Sequence, residues 1–207
     1  MKYGSVAMAA LCLALCCAGA AGAAEISLSA ATPIYQESEN DIAAMIRLTY
    51  GGELYLWGSH ESATARYAGQ EMGFVDLYGL GAGARMERWG FMMSLGIGYY
   101  HPQVETAGNA AGEALRARFH DMLDTEIHPG YDDPEYDLSG NIGGYIGIAY
   151  RKEIGKFFVA IGVDYRFLRL SEDFVIRCST DRASWLEGHE ERDFSAFLPV
   201  AGIGFRW

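Results

Sequence analysis

The sequence predicts an all-β chain that closes into an eight-stranded antiparallel up-and-down transmembrane β-barrel. Three observations carry this. Apolar side chains recur at every second position over long stretches, a period of two that belongs to strands. These stretches run about 10 to 14 residues, where strands of globular domains run about 5 or 6 and a tilted bilayer-crossing strand needs about 9 to 11. The opposite face is built of Gly, Ala, Ser and isolated charges, as in "KFFVAIGVDYRFLR", Lys156 to Arg169. A soluble barrel turns its large apolar side chains inward. A chain with the distribution seen here turns them to lipid and packs small and charged ones into a narrow lumen.

Residues 1–24 stand apart from this pattern. Lys2 is the only charge before Glu25, Val6 to Ala21 is apolar, and Ala21-Gly22-Ala23 has the small-x-small form of a cleavage site. This is the pattern of a cleaved signal peptide. The apolar run is shorter than the roughly 18 residues expected of a spanning helix. Cys12, Cys16 and Cys17 leave with it, so Cys178 remains alone and no internal disulfide can form. The formal net charge of −11 becomes −12 once Lys2 is removed. Such acidity repels phosphates and excludes nucleic acid as a partner.

The body, residues 25–207, reads as one barrel of eight strands: 26–35, 41–50, 53–59, 72–85, 89–101, 141–151, 156–169 and 194–207. In the second, Ile42, Ala44, Ile46, Leu48 and Tyr50 share a face, with Arg47 and Thr49 opposite. The third and fourth, "LYLWGSH" and "GFVDLYGLGAGAR", do not alternate cleanly and leave the faces of Tyr55 and Trp57 open. In the fifth, Trp89, Phe91, Met93, Leu95, Ile97 and Tyr99 oppose Gly90, Met92, Ser94, Gly96 and Gly98. The sixth presents Ile142, Ile146, Ile148 and Tyr150. The seventh sets Phe157 to Phe167 at odd positions against Ala160, Gly162, Asp164 and Arg166. In the eighth, Ala201, Ile203, Phe205 and Trp207 face away from Gly202, Gly204 and Arg206. Pro199 lacks a ladder donor and predicts a bulge or the outer end of that strand.

The links alternate in length. Gly51-Gly52 suits a two-residue hairpin, "MER" near Glu87 and "KEIG" before Lys156 are equally short, and the long external loops fall at about 102–140 and 171–193. Aromatic residues gather near strand ends, as in girdles at two membrane interfaces. An even strand count puts both termini on the periplasmic side.

The last strand has to pair with the first, and its closing residues Ile203, Phe205 and Trp207 point one way. In this ending, and in pattern over the whole body, the chain resembles the small outer-membrane β-barrel superfamily of the OmpA/OmpX and opacity-protein type. The resemblance implies localisation in the outer membrane, contact with outer-membrane lipid and lipopolysaccharide, and a C-terminal signal, Ile203, Phe205 and Trp207, read by the barrel assembly machinery. A monomer is expected.

Eight strands enclose a lumen that side chains fill. Arg47, Asp76, Asp164 and Arg166 are the expected lumen charge network, paired because unpaired buried charge is costly. The loop 102–140 carries Asp132, Asp133 and Glu135 in a stretch without Lys or Arg. These are candidate oxygen ligands for a divalent cation, against the plainer reading of a solvated acidic loop. His60 and Ser62 share one face of a strand end, part of what a hydrolytic site needs, but Glu61 between them points the other way and no acid partner is evident. The reading is therefore a non-enzymatic barrel with a plugged lumen and no cofactor, in a structural or surface-recognition role through its extracellular loops and an unidentified ligand. The alternatives are a small porin-like channel and a lipid A-modifying barrel enzyme.

Overall fold

The computed structural model describes residues 25–34, 42–50, 52–67, 70–106, 116–118, 120–121, 135–177 and 185–207. Its strands are β1 (Glu25–Ala31), β2 (Ile42–Tyr50), β3 (Leu54–Tyr67), β4 (Gln70–Arg88), β5 (Phe91–Thr106), β6 (Glu135–Ser139), β7 (Asn141–Ile154), β8 (Phe157–Phe167), β9 (Arg169–Arg177), β10 (Trp185–Asp193) and β11 (Ala196–Arg206). Eight of them close a barrel in the order β1-β11-β8-β7-β5-β4-β3-β2, and β10-β9-β6 form a separate three-stranded sheet. Every neighbouring pair in the barrel is antiparallel, including the seam, where Glu25 pairs with Arg206 and Ala31 with Val200.

The alternation read from the sequence is the alternation of the wall. Leu95 and Ile97 of β5, Ile146 and Ile148 of β7, Ile161 of β8 and Ile203 of β11 are exposed on the outside, where a soluble domain would bury them. Aromatic contacts bracket this belt. Near the short turns Phe91 packs on Tyr150, and Phe205 lies between Phe157 and Trp207. Toward the other end Tyr165 meets both Phe167 and Phe197.

Several boundaries differ from expectation, each for a local reason. β3 continues to Tyr67 and pairs with β4 from Leu54↔Ala84 onward, with one register shift between Ala65 and Arg66. The strand predicted over 53–59 is thus longer, and past Ser59 its outward positions are His60, Ser62 and Thr64, polar where Leu54 and Leu56 are apolar. Trp89 does not open β5 but forms the turn with Gly90, at φ 55° and 80°, which is the type I′ pattern. At the next turn only Gly155 has a positive φ, 67°, with Lys156 following, as in type II′. Tyr50 pairs with Leu54, so Glu53 joins Gly51 and Gly52 in that link. Pro199 makes no bulge: it pairs in register with Val163. Phe197 accepts a bond from Ile34 on the β1 side, so Pro199, two residues on, also points its nitrogen there, beyond the end of β1 at Ala31.

The largest correction concerns the segments 102–140 and 171–193. They are not wholly loop. β5 runs on to Thr106, and β6, β9 and β10 build the second sheet. It continues from the ends of β8 and β11, where Phe194 N–H donates to the Leu168 carbonyl and Leu168 N–H to Ser195 Oγ. Its inward face carries Leu138, Leu170 and Phe174, all buried, with Glu172 buried in the same row. A carboxylate inside that row is what hides these strands from a search for apolar alternation.

Candidate functional site

The barrel interior is built in tiers of ion pairs and rings. At the turn end, Glu25 is 1% exposed and receives Arg85 at 2.5 Å, Arg151 at 2.8 Å and Arg206 at 3.5 Å. Arg151 also meets Glu87 and Glu153, and its guanidinium lies 3.7 Å from the Phe158 ring centre. Midway, Arg47 donates to Asp164 at 2.6 Å, and Tyr145 Oη donates to Tyr55 Oη, which donates to the Leu95 carbonyl. Arg47 lies 5.2 Å from the Tyr145 ring centre. Above, Arg166 binds both oxygens of Glu61 and donates to the Phe194 carbonyl at 3.0 Å. Trp57 packs between Tyr100 and Tyr145, at 5.5 and 5.4 Å.

Small residues make this possible. Trp57 and Tyr55, whose faces the sequence left open, point into the lumen at 1% and 2% exposure. They lie on a floor of glycines on β4 and β5. A methyl group at Gly81 would overlap the Ile97 carbonyl and lie 2.7 Å from Trp57. Among the described residues, cavities of about 30 Å³ remain at two levels of the interior. Asp164 and Glu61 line one, Arg47 and Arg85 the other, and each has room for about a water or two.

Of the four residues expected in the lumen, the structure brings Arg47, Asp164 and Arg166 inside. Asp76 is a correction. Val75 and Leu77 take the buried positions of β4, so Asp76 points outward and accepts a bond from His60 Nε2 at 3.2 Å. Its place among the carboxylates is taken by Glu61, with Glu25, Arg85 and Arg151 as further members that the sequence reading missed. The signal for Glu61 was available: it lies four positions from Trp57 on the same face of β3, but the unclear alternation of that strand concealed it.

Outside the barrel, the cap sheet has its own ionic centre. Glu172 is fully buried and binds Arg118 at 2.8 Å and Arg192 at 3.1 Å, while Arg118 also meets Glu190. The two carboxylates hold the Arg118 guanidinium above its ordinary pKa, against the cost of its burial, which is the largest single influence. Ser195, through its hydroxyl and its N–H, holds the Asp193 carboxyl below the usual range. Asp132 and Asp133 lie outside the described residues. Glu135 opens β6, and among the described residues no group of His, Cys, Asp or Glu is placed to hold a metal ion. Ile203, Phe205 and Trp207 fall on the outer face of the closing strand and just past its end.

No family model matches the chain, and no curated protein matches it in sequence. Solved structures do. The chain is similar to the outer membrane protein OprG from Pseudomonas aeruginosa, with 8% identity, a TM-score of 0.53, and coverage of 89% of this chain and 96% of that one. It also matches the Yersinia pestis outer membrane protein Ail, seen in a phospholipid bilayer nanodisc, with 11% identity, a TM-score of 0.38, and coverage of 89% and 99%. With the closed strand order, the likeness to OprG shows that the chain has the fold of the small outer-membrane β-barrels.

Proposed function

We propose that this protein is an outer-membrane β-barrel with a lumen plugged by side chains, acting in a structural or recognition role at the cell surface through its cap sheet. One observation carries this reading: charge is inside and paired, while the large apolar side chains are outside and bare. That arrangement is stable only where the exterior is lipid. The outer belt is then the contact for outer-membrane lipid and lipopolysaccharide. The closing strand is the segment the assembly machinery reads, both termini are periplasmic, and the barrel works as a monomer. The cap sheet rises from the far end and meets any external ligand.

The test is cell fractionation with protease added to intact cells. We expect the protein in the outer-membrane fraction and cleavage between β9 and β10 without cell lysis. Recovery as a soluble periplasmic protein without detergent contradicts the reading. So does protection of the cap combined with cleavage at the Trp89-Gly90 turn.

A further inference from the structure

The arginines of the barrel interior, Arg47, Arg85, Arg151 and Arg166, each engage a carboxylate. Two cations on the outer wall do not. Arg88 closes β4, and Lys152 lies two residues past Tyr150 on β7. Both are exposed, and among the described residues neither side chain has an ion pair or hydrogen bond. Each continues the outward row of its strand, after Met86 at 63% exposure and Tyr150 at 48%. The rim acids beside them, Glu87 and Glu153, are turned to Arg151 in the mouth of the lumen.

The register brings these cations to one patch. Arg88 pairs with Phe91 across the β4–β5 hairpin, and Phe91 pairs with Tyr150. Arg151 N–H donates to the Gly90 carbonyl at 2.7 Å, which extends that pairing by one residue and sets the Trp89-Gly90 turn beside Lys152. Arg88 and Lys152 therefore flank the Phe91–Tyr150 ring pair, two strand spacings of about 4.8 Å apart. Trp89 completes the patch. It is 82% exposed, its backbone sits at φ 55°, and the Arg88 guanidinium lies over its ring at 4.2 Å. A bulky side chain in the left-handed region is strained, and such strain collects at functional positions. Here it holds a large ring out at the edge of the apolar belt with a guanidinium flat against it. Stacking occupies one face of Arg88 and leaves its N–H edge open to an acceptor.

We infer that Arg88, Trp89 and Lys152 form a headgroup site for an anionic phospholipid in the leaflet at the turn end of the barrel. The phosphate meets the two cations, and the indole lies among the headgroups. The acyl chains lie on the next outward row, where Met86, Met93 and Ile148 pair in register and are all exposed. Two features select this occupant. The patch is continuous with the lipid belt, so the ligand arrives in the bilayer rather than from water. It also carries two uncompensated positive charges on a chain whose formal net charge is −11, which favours a headgroup of net negative charge over a zwitterion. At the opposite end the exposed Arg169 is paired with Glu191 at 3.7 Å and offers no such patch. The inference goes beyond the surface role proposed above and rests on it only for the bilayer.

The test is native mass spectrometry of the purified barrel in detergent, offered phosphatidylglycerol and phosphatidylethanolamine of the same acyl chains in equal amounts. We expect phosphatidylglycerol to be retained in clear excess. Arg88→Gln and Lys152→Gln should each lower that excess about fivefold, the worth of one cation near a headgroup surface, and the double variant should bring it to parity. Trp89→Gly keeps the turn and should lower the excess by releasing Arg88 from the ring. Arg169→Gln, at the far end, should leave it unchanged. Equal retention of the two lipids by the wild type overturns the site, and so does an excess that survives in the double variant. Displacement of the bound lipid by millimolar inorganic phosphate overturns it in favour of a free-anion site. Heat-modifiable mobility of each sample reports the barrel independently. A heat-modifiable wild-type protein without headgroup preference leaves the barrel reading standing, whereas a chain that never shows the shift fails that reading itself.

Discussion

At the scale of single residues, the lumen depends on space and on paired charge. A methyl group at Gly81 would meet the Ile97 carbonyl, the Gly98 Cα and the Trp57 ring, and the two backbone atoms cannot yield without distorting the wall. Gly81→Ala should therefore cost about 1–3 kcal/mol through overpacking, read as a lower urea midpoint in detergent. Gly58→Ala is the control, since the added methyl would meet only a carbonyl at 3.8 Å. The Glu61–Arg166 pair is buried on both sides. Glu61→Leu alone strands a guanidinium and should cost about 3–5 kcal/mol, while Glu61→Leu with Arg166→Met should recover most of the loss. The recovery stops short of complete because the Phe194 carbonyl loses its donor. Equal stability of the single and double variants, in the same urea titration, would show that the pair does not plug the lumen as described.

At the scale of elements, the closing strand and the cap carry separate predictions. Deleting Phe205, Arg206 and Trp207 removes the seam partners of Glu25 and Ile26 and the Phe205 ring that packs on Phe157. The open edge in lipid costs several kcal/mol per unsatisfied peptide group. The truncated chain should accumulate as degraded or periplasmic protein. Arg206→Ala should still insert, because Glu25 keeps Arg85 and Arg151; normal outer-membrane levels of the truncation would contradict the account. In the cap, the folded Asp193 carboxyl titrates below its unfolded value. Its contribution is thus present above the ordinary Asp range and lost as pH falls through the lowered folded pKa. Protection from hydrogen exchange at the β10–β11 corner, taken relative to the intrinsic exchange rate at each pH, should fall over that acid window in the wild type and lose this dependence in Asp193→Asn. The elements also show what the sequence could reveal. β5, β7, β8 and β11 were legible because Leu95, Ile148, Ile161 and Ile203 repeat against small residues, and lipid outside with a filled lumen inside requires that repeat. β3 and β4 were harder to read, since their outer faces change from apolar to polar midway, at His60 and Tyr78. β9 and β10 were hidden because a cap sheet in water has no apolar outer face. Three lumen charges were placed by alternation, and Asp76 was not, because the register of β4 is set by Val75 and Leu77 rather than by charge.

At the scale of the whole molecule, one inversion organises the rest: a polar, rigid interior, an apolar belt, and a cap standing on one end. The plugged interior predicts no steady ion conductance in planar bilayers, and reproducible open-channel steps altered by Asp164→Ala would contradict it. The inversion itself is tested most directly by spin labels placed one at a time at residues 94, 95 and 97 of β5 and 146, 148 and 149 of β7, which leaves the packed lumen glycines untouched, in a Cys178→Ser background, with the protein reconstituted in lipid vesicles. Collision with oxygen, which concentrates in lipid, should be high at 95, 97, 146 and 148 and low at 94 and 149. Uniform accessibility along these strands, or collision of the labels at 95 and 97 with a water-soluble nickel reagent, would contradict the account.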